Sequence, residues 1–530
     1  MRRKWKSLIA VLAVLALISS LAVGCQKTDA TTAAPTTAAA KKTDAPEPAP
    51  ESDSGKATEA APETDAKPAG EMATVIWYSG TPGEQTGSGP VYAELNRILA
   101  EKHNIQLDFR TFDWGMYDEK MNMIISSGED YDLCFTSQAW VNKYPAQVGK
   151  GAFLALDDYL PNYAALRDAL PEFLFEQARI NGKIYAVPNY QITYSQWGFL
   201  FRKDLIEESG FEYQNIKEYW EAEPFWQFVK ENHPELFPTN ATYGAFANVR
   251  NQYIPVGVDD LFFDSDDPDH MISMYLDKEE SEKTGMGFWY TGLQDRKAWE
   301  NGYLREDIAT VEDQSADDAA GRFASISGVI KPGGEAERKK KSANYDWVQV
   351  GVQEPFTTSV ASRSAMTAVN ALSKHPEEAL RMLEILNTDA EIFNMLNFGV
   401  EGTNYELTDE GKIHLIDESG YFYNAAWAIG NQFNAILLED QEDGIWEATD
   451  KLNREAEITP INGFSFNIEG VTTEIANISA VKKEFENWQY EDDYETRYEE
   501  FVAKLQQAGI DTLIAEAQKQ LDEWWENNKS

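Results

Sequence analysis

The chain has 530 residues, of which 43% are hydrophobic, and it carries a formal net charge of −43. This excess of acid argues against nucleic acid and anionic lipid surfaces as partners, because both carry the same sign of charge. The length is enough for two or more domains with large hydrophobic cores.

The N-terminus has the charge and length profile of a secretory signal peptide. Four basic residues stand among the first six positions, and a short apolar run from Leu8 to Ile18 follows them. That run is too short to span a bilayer. We therefore expect residues 1–24 to be a signal peptide that is removed on export.

Cys25 ends this segment, directly after the small residues Ala22, Val23 and Gly24. These residues resemble the bacterial lipobox, in which the cysteine is acylated and becomes the first residue of the mature chain. The resemblance implies a lipid anchor at Cys25 on the outer face of the cell membrane. The alternative is an ordinary secretory cysteine close to the cleavage point.

Residues 25–72 are rich in Ala, Thr, Pro, Glu, Lys and Asp and contain almost no large apolar side chain. A chain of this composition cannot bury enough surface to fold. We expect a flexible tether that holds a folded domain just above the membrane of a bacterium without an outer membrane.

The chain then alternates between strand and helix patterns. Thr74–Trp77 reads as a buried strand, Val91–Asn104 as an amphipathic helix, Ile105–Phe112 as a strand, Met116–Asp130 as a helix and Tyr131–Ser137 as a strand. This order predicts an α/β fold with a mainly parallel sheet flanked by helices.

In such a sheet, ligands lie beyond the carboxyl ends of the strands. Three strand ends carry aromatic or polar side chains at that place: Tyr78–Thr86, Phe112–Gly115 and Thr136–Trp140. These loops are the first candidates for a binding site.

Motifs of enzymes and cofactor sites are missing from the sequence. The five histidines are scattered, and no CxxC pair, Walker loop or nucleophile elbow is present. The acidic stretch Asp264–Met271 has the carboxylate density of a calcium loop, but Pro268 breaks the EF-hand pattern. We expect no catalytic residue and no cofactor; at the acidic stretch, a solvated loop and a structural calcium ion both stay open.

Several segments resemble those of bacterial extracellular solute-binding proteins. The similar segments are Tyr131–Trp140, Asn181–Tyr190, Trp197–Gly210, Ser373–Asp389, Gly399–Leu407, Gly463–Asn467 and Leu505–Trp524. The last three resemble most closely the large lipoprotein receptors of Gram-positive carbohydrate ABC importers. The resemblance extends from about residue 73 to the end of the chain.

The resemblance implies a type II, two-lobed periplasmic-binding-protein-like fold. Each lobe would be a mainly parallel sheet flanked by helices, and a helical extension would follow at the C-terminus. Such a protein is no enzyme: it captures an oligosaccharide in the cleft between the lobes and delivers it to the permease subunits of an ABC importer. We expect a monomer that touches the membrane only through its lipid and binds no nucleic acid.

The resemblance also implies chain crossings between the lobes. We place them near Tyr190–Gln196, Phe356–Arg363 and Tyr423–Ala435. Lobe 1 would then comprise residues 73–190 and 358–425, and lobe 2 would comprise residues 191–357 and 426–530.

A sugar offers hydroxyl groups and apolar C–H faces, so its site needs flat aromatic rings and planar polar groups. The candidate ligand-binding residues are Glu84, Asp113, Trp114, Trp140, Tyr190, Trp197, Trp289, Arg363, Trp427 and Asn431. Trp140 leads them, because it stands in a polar loop at the end of the third strand. For the aromatic residues the alternative is core packing, and for Arg363 it is an ion pair between the lobes.

Other functions stay open at this point. A receptor of the same fold could bind peptides or another small nutrient, because a fold does not dictate its ligand. A cell-surface glycoside hydrolase would need one pair of carboxylates, which cannot be singled out among 89 acidic residues. An adhesin or structural lipoprotein would bind no small molecule at all.

Overall fold

The computed structural model describes residues 72–243, 253–256, 261–264, 271–273, 275, 278–285, 287–311, 314–416 and 418–528. The predicted signal peptide, Cys25 and the tether up to residue 71 lie outside the described residues. Residues 265–270 of the acidic stretch also lie outside them, so the calcium site there stays a prediction.

The strands are numbered in chain order. They are β1 Ala73–Thr81, β2 Ile105–Asp113, β3 Leu133–Thr136, β4 Ala186–Pro188, β5 Trp197–Arg202, β6 Tyr253–Pro255, β7 Leu261–Asp264, β8 Met271–Ser273, β9 Ser325–Val329, β10 Trp347–Gly351, β11 Phe356–Thr357, β12 Met366–Val369, β13 Tyr405–Leu407, β14 Ile413–Leu415 and β15 Glu457–Ile458.

The α-helices are α1 Ser88–His103, α2 Trp114–Ser127, α3 Tyr144–Gly149, α4 Ala164–Ala169, α5 Glu172–Ala178, α6 Lys203–Ser209, α7 Glu223–Asn232, α8 Lys278–Thr284, α9 Gly287–Glu300, α10 Ser315–Ala319, α11 Gly334–Lys341, α12 Ser359–Ser362, α13 Pro376–Thr388, α14 Ala390–Phe398, α15 Ile445–Glu455, α16 Thr472–Glu484, α17 Tyr494–Ala508 and α18 Ile510–Asn528. Short 3₁₀ turns lie at Leu160–Asn162, Tyr213–Asn215, Tyr219–Ala222, Ile308–Thr310, Ala426–Ala428, Gln432–Asn434 and Trp488–Tyr490.

Lobe 1 is built on a five-stranded sheet in the order β2-β1-β3-β12-β4. The first three strands run parallel, as the sequence predicts, and β12 pairs antiparallel with both β3 and β4. The core around this sheet holds buried residues from two stretches of chain, 75–190 and 365–435. The apolar face of α1 packs there through Val91, Leu95, Ile98 and Leu99.

The ends of α1 and α2 follow from local chemistry. Asn104 ends α1 in the left-handed conformation with φ 54°, which Asn tolerates better than most residues. Asp113 begins α2, and its Oδ1 atom accepts a hydrogen bond from the Gly115 N–H at 2.8 Å. Gly128 ends α2 with φ 68°, at the position where a helix C-terminus favours glycine.

Cys134 is fully buried in β3. Burial raises the pKa of its thiol to about 12, so the thiol stays protonated and unreactive. The residue serves as core packing.

Lobe 2 departs from the expectation of a mainly parallel sheet. Its central sheet has the order β10-β5-β9, and both pairings are antiparallel. Sequence patterns showed strand–helix alternation only in the first part of the chain, and the parallel sheet is confined to that part.

Three segments in which the chain crosses from one lobe to the other lie side by side, and we call them passages. Ser195 exchanges two backbone hydrogen bonds with Phe356, at 2.7 and 3.1 Å. On the other side of this segment, β11 pairs in parallel with β15. The third passage therefore lies at Glu457–Ile458, and the predicted passage at Tyr423–Ala435 is wrong: Tyr423, Ala425, Ala428, Ile429 and Ala435 belong to the core of lobe 1.

The C-terminal helices α16, α17 and α18 form a separate helical core together with residues of α9 and β7. We call this group the helical core. These helices confirm the predicted helical extension at the C-terminus. In the described part of the chain, no helix has both the length and the apolar composition needed to cross a membrane.

Candidate ligand-binding site

Three tryptophans from distant positions meet at the carboxyl ends of the parallel strands. Trp114 follows β2, Trp140 follows β3, and Trp427 lies in a 3₁₀ turn of lobe 1. The ring centroids of Trp114 and Trp427 lie 5.2 Å apart, at an interplanar angle of 19°. Trp140 lies 4.8 Å from Trp114 and 6.1 Å from Trp427. We call these three residues the tryptophan cluster.

Two residues below the cluster fix its position. A Cβ atom at Gly80 in β1 would lie 2.1 Å from the Trp114 ring, so only glycine lets this ring approach the strand so closely. Phe135 in β3 is fully buried and contacts Trp114 and Trp427 edge-on, with ring centroids 5.1 and 5.6 Å apart.

The cluster presents apolar ring surface to solvent. Trp140 is 52% exposed, and Trp114 and Trp427 are half-buried. An exposed tryptophan leaves a large apolar area in water, and a flat ligand face would remove that area at small entropic cost. The structure therefore brings together three of the predicted aromatic residues on one accessible surface.

Polar candidates lie on the loops beside the cluster. Glu84 is exposed in the loop after β1. The neighbouring Gln85 is tied to the segment before Trp427, because its Oε1 atom accepts a hydrogen bond from the Phe422 N–H at 2.9 Å. Asn431 caps the Gln432–Asn434 turn through its Oδ1 atom, much as Asp113 caps α2.

Tyr190 lies in the first passage between the lobes and is 1% exposed. Its hydroxyl donates a hydrogen bond to Asp450 Oδ1 at 2.5 Å, and its ring contacts Phe433 edge-on. Burial, together with the Asp450 carboxylate, raises the pKa of the hydroxyl. The residue fastens α15 to the passage.

Trp197 begins β5 and is half-buried. Its backbone N–H donates to Gln353 Oε1 at 3.0 Å, and its backbone pairs with Val329 in the sheet of lobe 2. Among the predicted aromatic residues, Trp197 thus lies in the sheet of lobe 2, close to the passages.

Arg363 has a role that differs from both predicted ones. It is 1% exposed, and its guanidinium donates to the carbonyl oxygens of Gln177 and Arg179 at 2.6 and 2.5 Å. Burial lowers the pKa of this group to about 10. Its hydrogen bonds are directed at carbonyls that end α5, and within the described residues Arg363 makes no ion pair between the lobes.

Trp289 belongs to the helical core and not to the tryptophan cluster. It is 5% exposed, stacks on Trp488 at 5.7 Å and donates through its indole N–H to Glu282 Oε1 at 2.9 Å. Its position in the first turn of α9 explains the burial, since that face of the helix packs on α17.

A cavity of about 280 Å³ adjoins the cluster and lies between the lobes. Trp427, Phe433 and Trp446 line it from lobe 1, and Gln191 lines it from the first passage. Lobe 2 contributes Lys331 to Gly333 and one face of α11.

Sequence reasoning missed the charged wall of this cavity. Lys340 of α11 forms an ion pair with Asp440 of lobe 1, so the pair joins the two lobes across the cavity. Both side chains are about half exposed. The only signal was the basic run Glu337–Ser342, which stands out in so acidic a chain but gives no hint of its partner.

The family model described as bacterial extracellular solute-binding protein matches residues 85–391. The chain belongs to this family. A second model, described as a domain of unknown function (DUF3502), matches residues 460–526 of the solute-binding protein, a stretch that includes α16, α17 and most of α18.

One curated relative aligns over most of the solute-binding protein. It is a carbohydrate ABC transporter substrate-binding protein of Streptococcus pneumoniae, 28% identical over 459 residues, which cover 82% of this chain and 88% of the relative.

Solved structures of another receptor share the two-lobed fold. A crystal structure of the N-glycan transport solute binding protein (NgtS) from Streptococcus pneumoniae is 24% identical with a TM-score of 0.73, covering 86% of this chain and 100% of that chain. NgtS in complex with Man5GlcNAc is 25% identical with a TM-score of 0.61, covering 86% of this chain and 99% of that chain.

Proposed function

We propose that this solute-binding protein captures an oligosaccharide at the tryptophan cluster and delivers it to the permease subunits of an ABC importer. The observation that carries the proposal is the cluster itself: three rings from separate parts of lobe 1, partly exposed, beside a cavity that lobe 2 closes. The names of the relatives, which transport carbohydrate and N-glycan, support the same ligand class.

The chemistry around the cluster suits sugar hydroxyls. The cavity beside Trp427 has the side-chain amides of Gln191, Gln432 and Gln441 in its walls. Each amide presents donors and an acceptor in one plane, which matches the mixed donor and acceptor character of hydroxyl groups. Rings for the C–H faces and amides for the hydroxyls together make a carbohydrate site.

Capture would involve closure of the lobes. The tryptophan cluster lies in lobe 1, and the cavity beside it is also lined by residues of lobe 2. Ligand contacts from both lobes would favour a closed arrangement.

Closure is measurable in solution. Small-angle X-ray scattering should give a smaller radius of gyration at saturating oligosaccharide than without it. An unchanged radius in the presence of a bound oligosaccharide would mean a rigid, preformed pocket.

The receptor would be held at the outer face of the membrane by lipid on Cys25. The segment that precedes Cys25 resembles a signal peptide with a lipobox. We expect Cys25→Ala to release the protein from the membrane fraction into the medium, because one cysteine carries the whole anchor. Retention of the variant in the membrane fraction would contradict the lipoprotein assignment.

A thermal-shift screen tests the ligand class. We expect oligosaccharides to raise the melting temperature, since a ligand at 100 times its Kd stabilises a protein by about 2.7 kcal/mol. Man5GlcNAc and linear glucans belong in the panel, with short peptides as the contrasting set. Stabilisation by peptides alone would overturn the carbohydrate assignment, and new reducing ends during incubation would indicate a glycoside hydrolase.

A further inference from the structure

A polar groove of about 760 Å³ has none of the three residues of the tryptophan cluster in its lining. Arg363 contacts the chain next to both places. Its carbonyl oxygen accepts a hydrogen bond from the N–H of Gln138, two residues before Trp140, at 2.8 Å. Its guanidinium binds the carbonyl of Arg179, which lines the groove. Arg363 therefore contacts both the loop that leads to Trp140 and the lining of the groove.

The two walls of the groove belong to different parts of the fold. Glu176 and the loop 179–182 form one wall, and this segment packs on the core of lobe 1. One face of α18, whose opposite face lies in the helical core, forms the other wall. Residues 462–467 run along the floor, where the Gly463 N–H donates to Ser359 Oγ at 2.9 Å.

Side-chain amides dominate the chemistry of this groove. The amides that line it belong to Asn181, Asn462, Asn467, Gln520, Asn527 and Asn528. Trp524 adds a half-buried ring to the same wall, packed edge-on against Phe464. This combination of amides and an aromatic ring repeats the chemistry of the cavity beside Trp427.

One polar atom in the groove has no partner within the described part of the chain. The Oδ1 atom of Asn462 is buried and accepts no hydrogen bond there. A buried acceptor without a donor destabilises the fold. A rotation of this side chain toward the groove would let a ligand hydroxyl supply the missing donor.

The charges of the groove do not select an anion. Arg179 is already paired with Glu176 and Asp157, at 2.8 and 2.7 Å. Lys519 pairs with Glu516 at 3.4 Å. The cations of both walls thus have carboxylate partners, and a neutral ligand rich in hydroxyl groups fits better than a phosphate or a sulfate.

We propose that this groove is a second carbohydrate-binding site, for a neutral oligosaccharide. It goes beyond the proposed capture at the cluster, and it gives a binding role to residues 460–526, whose family model carries no function. Within the described residues, no hydrogen bond or ion pair joins the loop 179–182 to α18. The groove width therefore depends on how lobe 1 sits against the helical core. A ligand in the groove would change the affinity of the cleft for its own ligand, and a ligand in the cleft would change the affinity of the groove by the same factor.

The test is isothermal titration of the full-length chain with Man5GlcNAc, in wild type and in single variants. Wild type should show two binding events. Trp524→Ala should weaken one of them at least tenfold, and Trp524→Phe, which keeps an aromatic ring, should recover most of that loss. Trp525→Ala is the matched control, because Trp525 is the next residue of α18 and packs on Phe263 outside the groove lining.

The variant Trp140→Ala separates this proposal from the proposed capture at the cluster. It should weaken the other binding event and leave the groove event in place. A single event in wild type up to millimolar Man5GlcNAc, or equal effects of Trp524→Ala and Trp525→Ala, would overturn the second site. A groove event without any event sensitive to Trp140→Ala would support the second site and overturn capture at the cluster.

Discussion

Two groups of aromatic residues in this protein both contain tryptophans, but one group leaves ring surface exposed and the other buries it. In the tryptophan cluster the rings follow strand ends, and Trp140 is 52% exposed. In the helical core Trp289 stacks on Trp488 with ring centroids 5.7 Å apart and is 5% exposed. The comparison shows that the position of a tryptophan at a strand end or inside a packed helix decides whether its ring is available to a ligand.

The largest expected effect is on the helical core. Trp289→Ala should lower the free energy of unfolding by about 3–5 kcal/mol, because it leaves a cavity among Trp488, Tyr498 and the other rings around it. Denaturant unfolding measures the loss, and oligosaccharide affinity should change only indirectly. A stable variant with poor affinity would place Trp289 in the binding site after all.

The next effect should fall on binding. Trp140→Ala should weaken oligosaccharide binding by about 2 kcal/mol, or roughly 30-fold, as truncation of an aromatic hot spot does. The unfolding free energy should change by less than about 1 kcal/mol, because a ring that is 52% exposed leaves little cavity. Affinity from calorimetry and unfolding free energy from denaturant titration, measured on the same variant, distinguish a binding role from a packing role. Trp140→Phe is the conservative control. A large loss of stability with normal affinity would move Trp140 to the packing group.

The smallest effect concerns the ion pair that joins the lobes beside the cluster. Lys340→Ala should change oligosaccharide affinity by no more than about 1 kcal/mol, since pairs between half-exposed side chains contribute little. The change should shrink as salt is added. Lys339→Ala is the control, because Lys339 pairs with Asp346 inside lobe 2. Equal effects of the two variants would show that the link between lobes has no influence on binding.

Much of lobe 1 could be predicted from the sequence, because its elements carry periodic apolar patterns. The predicted strands and helices between Thr74 and Ser137 all appear in the structure, in the predicted parallel arrangement. The positions of Trp114 and Trp140 after strand ends could be predicted for the same reason, since the end of a patterned strand is visible in a sequence.

Other features depended on contacts between distant residues, which local patterns do not contain. The third passage is a pair of residues, Glu457–Ile458, whose strand exists only through pairing with β11. Both of its side chains are exposed, so no apolar periodicity marks it. In the same way, no residue near Lys340 in the sequence indicates that Asp440 is its partner. The residues next to Trp289 in the sequence likewise do not distinguish it from the tryptophans of the cluster.

The position of β12 in the first sheet has a consequence for how the chain folds. β12 lies between β3 and β4, and Met366 pairs with Thr136 on one side and Pro188 on the other. The sheet therefore stays open at its middle until residues 366–369 have been synthesised and have returned from the first part of lobe 2. Contacts so distant in sequence make folding slow. A nascent chain of this design cannot complete the sheet of lobe 1 before residues 366–369 have left the ribosome.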